Sequence, residues 1–160
     1  SIRADLRRLE SITETIQRAG HDVDVIFHSI AIRVANKDEA DQLELSDGQE
    51  IVITERTIHA DGAEVAFSRE VTPVALVGRE AIGTSSDGSL FHMLEQHGLE
   101  VKSARTEIHA AWGEAVSDQA PSELLVHLSQ LHFLADQTPV MAADTYFVEG
   151  RFQFGLVRLT

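Results

Sequence analysis

The sequence predicts an α+β protein: a largely antiparallel sheet flanked by helices. Three observations predict it. Glu50 to Pro73 reads as two arms rich in β-branched and aromatic residues around Ala60-Asp61-Gly62-Ala63, and Asp-Gly readily takes the positive φ angles of a tight hairpin. The C-terminal half is a succession of further apolar runs joined by short turns, and strands linked that closely pair antiparallel, because parallel pairs need a crossover. Short segments with capping signals, at Ser11-Ile12-Thr13-Glu14 and at Asn36, supply the flanking helices.

Taken in order, Leu6, Leu9, Ile12, Ile16 and Ala19 recur at near-helical spacing. The capping-box form at Ser11 means that a helix begins or restarts there, and Gly20 suits its stop. Val23 to Ala35 is rich in Val and Ile and reads as a strand. Asn36 caps a short helix through Asp38 to Leu43, and Ser46-Asp47-Gly48 turns the chain into the hairpin. A two-residue turn would set Phe67 opposite Arg56, whereas one bulge residue at Gly62 would set Ser68 there instead. That choice decides whether the hairpin can carry a polar site. After Pro73, Val74 to Asp87 is less regular, and Gly83 with the Thr84 to Gly88 run is expected as a loop. Ser89 to His97 predicts a short helix stopped by Gly98. Leu99 to Trp112 reads as a long strand, Ser117 to Glu123 as a helical turn. Leu124 to Ala135 and Val140 to Val148 read as strands joined at Asp136-Gln137-Thr138-Pro139, and Phe152 to Leu159 as the last strand.

Composition narrows the function. The 160 residues, 43% hydrophobic and 24% charged, suit one globular domain with a real core. No apolar run approaches a membrane span and no secretory pattern opens the chain. The chain starts at Ser1 rather than Met and is expected to be part of a longer protein. With no cysteine, disulfides, thiolate metal sites and cysteine nucleophiles are excluded. A net charge of −13 argues that this piece does not itself bind nucleic acid.

Candidate chemistry concentrates at a few positions. Ser89 follows Gly88 at a helix start, where a hydroxyl lies beside unpaired backbone N–H groups; it reads as an anion contact or as an ordinary N-cap. Arg56, mid-strand among apolar neighbours, reads as a carboxylate or phosphate clamp, or as a surface ion pair with Glu55 or Glu70. Arg105, between Val101 and Ile108, is the next such arginine. Eight histidines show no H-E-x-x-H spacing and no metal is expected. No G-x-S-x-G elbow is present, so a serine nucleophile has no supporting motif. Tyr146 and Phe147 read as core or as the aromatic wall of a small-molecule pocket.

The landmarks together resemble a known family. Leu9 to Glu14 with Gly20, Ala40 to Gly48, Ile53-Thr54-Glu55-Arg56 with Asp61-Gly62 and Val65 to Arg69, Ser89-Leu90-Phe91 with Leu94 and Gly98, and Tyr146-Phe147 before Arg151 to Phe154 are similar in order and spacing to the UTRA effector-binding domain of GntR-type bacterial transcription regulators, HutC subfamily. The resemblance implies the fold of chorismate lyase without its catalysis. It implies no cofactor, a cytoplasmic homodimer, and a winged-helix DNA-binding domain preceding Ser1. It further implies a small, often anionic metabolite, with Arg56 matching the family's anion-binding arginine, Ser89 its helix-start serine and Tyr146 a pocket aromatic; Ser68, Phe91 and Arg105, from the reading of the residues themselves, complete the expected ligand set. Three positions depart from the family pattern: Ile58 stands where many members have a second arginine, Ser68 where many have glutamate, and Phe91 where many have tyrosine. Those departures favour a monoanion or a less charged ligand over a doubly charged phosphate. The alternatives are a lyase or hydrolase on the same fold, using Glu70 or Glu107, and a dimerisation module without ligand.

Overall fold

The computed structural model describes residues 1–82 and 89–160. In chain order the elements are β1 (Ile2–Asp5), α1 (Ile12–Arg18), β2 (Val23–Val34), α2 (Lys37–Leu43), β3 (Glu50–Ala60), β4 (Ala63–Pro73), α3 (Val74–Val77), α4 (Arg79–Ile82), α5 (Leu90–Gln96), β5 (Ser103–Trp112), α6 (Gly113–Val116), β6 (Leu124–Phe133), β7 (Pro139–Val148) and β8 (Phe152–Gly155). Six strands form one sheet in the order β2-β3-β4-β7-β6-β5, and every neighbouring pair in it is antiparallel. It is two meanders, β2-β3-β4 and β7-β6-β5, joined along β4 and β7. Helices α3 to α5 fall in the connection between the meanders, which brings α5 over their junction. β1 and β8 pair separately and in parallel.

Successive side chains of a strand alternate between faces, so the paired registers sort the sheet cleanly. On one face lie two apolar clusters. Val52, Leu90, Met93, Leu94, Val140 and Met141 belong to the first. Ile16, Ile58, Ala66, Leu128, Phe147 and Phe152 belong to the second. The opposite face buries Leu43 of α2 with Ile51, Ile53, Val71 and Leu131. β3 and β4 are therefore covered on both sides, which explains why their polar residues are buried.

The helix caps act as the sequence implies. The Ser11 hydroxyl accepts the Glu14 N–H at 3.2 Å, and Asn36 and Glu39 satisfy one another's backbone N–H groups in a capping box. Of the two readings at Ser11, the helix begins there: α1 starts at Ile12 because Ser11 caps it, and Leu6 and Leu9 are outside the helix and pack individually into the core. Four boundaries differ from expectation. The strand Ile2–Asp5 had no alternating signal of its own and exists by pairing with β8. β5 starts at Ser103, not Leu99, because Gly98 (φ 74°) ends the preceding helix and the chain needs several residues to return to the sheet. The helical turn sits at Gly113–Val116 rather than Ser117 to Glu123, since Ser117 is extended (φ −169°). β8 ends at Gly155 opposite Asp5, where its partner strand ends. Two single-turn helices, α3 and α4, occupy Val74–Val77 and Arg79–Ile82, where the sequence offers no periodic pattern. The loop expected from Gly83 to Gly88 lies outside the described residues.

Candidate functional site

The hairpin turn fixes the site. Asp61 (φ 49°) and Gly62 (φ 83°) both take left-handed backbone, the requirement of a type I′ turn whose twist suits the flanking strands. Ala60 faces Ala63 and His59 faces Glu64, but Ile58 faces Ala66. Val65 is thus the extra residue, a bulge one step inside the turn rather than at Gly62. The bulge sets Arg56 opposite Ser68 and Thr54 opposite Glu70. On β7, Thr145 faces Ser68.

These side chains form a polar row between the two apolar clusters of one face. Arg56 is 2% exposed, Ser68 1% and Glu70 6%. The Glu70 carboxylate links the row to α5: its Oε1 accepts the Leu90 N–H at 2.9 Å and lies 3.7 Å from Arg56 Nη2. Ser89 caps α5, its hydroxyl accepting the His92 N–H at 3.3 Å. Ser68 Oγ and Thr54 Oγ1 are buried without hydrogen-bond partners among the described residues, and burying such a hydroxyl unbonded is costly. A cavity of about 80 Å³ adjoins the row, lined by Thr145, Gln130, Leu128 and Phe147 of the sheet and by Leu9 and Ile12 beneath α1.

The sequence candidates divide between the two faces. Arg56, Ser68 and Ser89 come together. Phe91 is buried in the neighbouring apolar cluster, its ring edge-on to His132 at 6.0 Å. Arg105 and Tyr146 are on the opposite face. Arg105 faces Leu131 and its guanidinium lies over the Phe133 ring, 5.8 Å from the centroid. Tyr146 faces Phe67 and stacks on His127 at 4.2 Å; burial, then the Asp144 carboxylate, pushes its phenol above the ordinary value. Parity decides both cases: Arg105 is odd on β5, whose site face carries the even positions Thr106 and Ile108, and Tyr146 is even on β7, whose site face carries the odd positions Thr145 and Phe147. Sequence reasoning gave Thr54 and Thr145 no role. It gave Glu70 only those of surface partner or catalytic acid. The signal for Thr54 and Glu70 was the spacing of two shared with Arg56 and Ser68. Ile58, where the resemblance implies a second arginine in many members, is fully buried in the second apolar cluster. Among the described residues no group of three or more His, Asp or Glu could hold a metal ion, and no helix is long and apolar enough to cross a membrane.

Fold and site define an α+β domain of the UTRA class: residues 18–153 match the UTRA domain, and the chain belongs to that family. Its structure is similar to the effector domain of PhnF from Mycobacterium smegmatis, with a TM-score of 0.86 at 18% identity over 99% of this chain and 100% of that one. It is similar also to PhnF of the same organism as a longer chain, with a TM-score of 0.84 at 18% identity over 99% of this chain and 72% of that one. The ligand-binding domain of a putative GntR-family transcriptional regulator from Bordetella bronchiseptica aligns with a TM-score of 0.67 at 14% identity over 81% of this chain and 86% of that one. At these identities the likeness is one of fold. No match was found among curated proteins. The antiparallel sheet flanked by helices, expected from the hairpin and the capped segments, is the fold of these GntR-family effector domains.

Proposed function

We propose that this chain is the ligand-sensing domain of a bacterial GntR-family transcription regulator of the HutC branch. It binds a small anionic metabolite without turning it over. The observation that carries this reading is a buried arginine, Arg56, set directly opposite a buried serine whose hydroxyl has no partner among the described residues. Such hydrogen-bonding capacity is costly to leave unused in a purely structural core. The metabolite sits in the polar row, its anion toward Arg56 and the Ser89 end of α5, and its remaining atoms toward Thr145 and the cavity beneath α1. At about 80 Å³ that cavity is well below the roughly 300 Å³ of a drug-sized pocket, which favours a compact effector. Ile58 offers no second cation, which favours a monoanion.

The structural neighbours include the effector domain of PhnF and the ligand-binding domain of a putative GntR-family transcriptional regulator, and a ligand-binding role within a regulator is proposed here. A winged-helix domain outside this chain reads DNA, and this domain works as a homodimer in the cytoplasm. Binding favours one of two dimer arrangements by its differential affinity for them. The test is a thermal-shift screen of small carboxylates and phosphomonoesters, followed by operator release with the full-length regulator. Replacing Arg56 with Ala is expected to abolish both responses. An effector response unchanged in that variant would overturn the role of Arg56.

A further inference from the structure

We propose that Glu70 is the resident occupant of the anion position beside Arg56, and that an anionic effector binds by displacing it. The inference rests on the sensor reading for where the ligand sits. It adds what the ligand must remove. One oxygen, Glu70 Oε1, takes the Leu90 N–H at 2.9 Å and lies 3.7 Å from Arg56 Nη2. That is the geometry an incoming carboxylate or phosphate would adopt, a negative oxygen between a guanidinium and a helix-start amide. Two anions cannot share that point: like charges a few ångströms apart inside a protein repel strongly.

The neighbouring hydroxyls support exchange over simple addition. Ser68 Oγ and Thr54 Oγ1 are buried on the same face, opposite Arg56 and Glu70, and have no hydrogen-bond partner among the described residues. Glu70 therefore pairs with the Arg56 guanidinium but leaves the two hydroxyls unused. A ligand with several acceptor oxygens can satisfy both. Specificity follows, because a ligand must bring enough acceptors to repay the loss of Glu70 as well as its own desolvation. A signal follows too. Glu70 belongs to β4 and Leu90 opens α5, so displacement releases a direct tie between the sheet and that helix and replaces it with one through the ligand.

The experiment uses inorganic phosphate as the probe anion, measured by calorimetry and thermal shift. The proteins are the wild type, Glu70→Gln, Glu70→Asp and the double variant Arg56→Met/Glu70→Gln. Glu70→Gln keeps an acceptor for Leu90 and removes the competing charge. Glu70→Asp keeps the charge but withdraws it, and serves where the glutamine variant does not fold. Phosphate is expected to bind Glu70→Gln on the order of tenfold tighter than wild type, as loss of a nearby like charge requires, to bind Glu70→Asp tighter than wild type by a smaller factor because its charge is only withdrawn, and not to bind the double variant. Equal dissociation constants in wild type and the Glu70 variants, or no binding to either variant, would overturn displacement. Binding that needs Arg56 but ignores Glu70 defeats displacement alone. Binding that ignores Arg56 as well defeats the sensor reading beneath it.

Discussion

Arg56 and Ser68 face one another across β3 and β4 because Val65 is extruded one step inside the turn. Without that extra residue a two-residue turn would have set Phe67 against Arg56. The polar row thus depends on a bulge outside itself, and on the left-handed pair Asp61 and Gly62 that closes the hairpin. Asp61 also ties the hairpin to the chain entering β2, accepting the Asp22 N–H at 2.9 Å.

Gly62→Val forces a β-branched side chain into φ 83°. The expected cost is about 1–2 kcal/mol, the usual penalty of left-handed backbone for such residues. Nothing lies within 4 Å of a Cβ added there, so the loss is conformational rather than steric. The strands beyond the turn remain paired and ligand affinity is expected to hold. Urea denaturation beside a ligand titration checks both halves; loss of binding at full stability would mean that the turn does more than close the hairpin.

Arg56 and Glu70 are a buried pair, 3.7 Å apart. Removing one partner leaves an uncompensated buried charge, which typically costs about 3–5 kcal/mol. Replacing both with apolar residues of similar volume is often neutral. Arg56→Met is therefore expected to be strongly destabilised, and Arg56→Met/Glu70→Leu to recover most of the loss. A double variant no more stable than the single one, by chemical denaturation, would show that the pair is not the unit.

Ser68 separates stability from function. Its hydroxyl has no partner among the described residues, so Ser68→Ala removes an unsatisfied polar group and is expected to leave stability unchanged or raise it by roughly 1 kcal/mol. If that hydroxyl serves a ligand, the same substitution weakens effector binding. A melting temperature that falls in step with affinity would contradict the assignment.

The hairpin and the caps at Ser11 and Asn36 were legible because each rests on local chemistry: a backbone preference at Asp61-Gly62, or a side chain three residues from the amide it satisfies. Register was open to two readings, since nothing local announces that Val65 bulges. Arg105 and Tyr146 were gathered with Arg56 because the sequence gives residue type but not face; the pairing of Tyr146 with Phe67, one step from Ser68, puts it on the far side. β1 was invisible, as Ile2 to Asp5 becomes a strand only through a partner some 150 residues later. Glu70 appeared to be a surface partner for Arg56 because burial of both faces of β4 comes from α2 and α5, elements that strand periodicity cannot see.

His132 gives the fold an acid limb that can be tested directly. Its ring is 3% exposed, packed edge-on against Phe91. Burial pushes its pKa from 6.5 down to about 4, against an opposing backbone hydrogen bond with Met141. In the unfolded chain the ring titrates near its ordinary value. Between those two pH values the unfolded state binds a proton that the folded state refuses, so stability falls as pH falls through the window. The contribution is fully present above about 6.5, the ordinary histidine value, and is lost by about pH 4. A shift of that size corresponds to about 3 kcal/mol. His132→Leu fills similar space with no titrating group, so its stability is expected to decline less over this interval than that of wild type. Parallel urea unfolding series from pH 7 to pH 4 measure the difference directly. Identical slopes for the two proteins would mean that the buried ring is already protonated in the fold, or that it opens to water before it titrates.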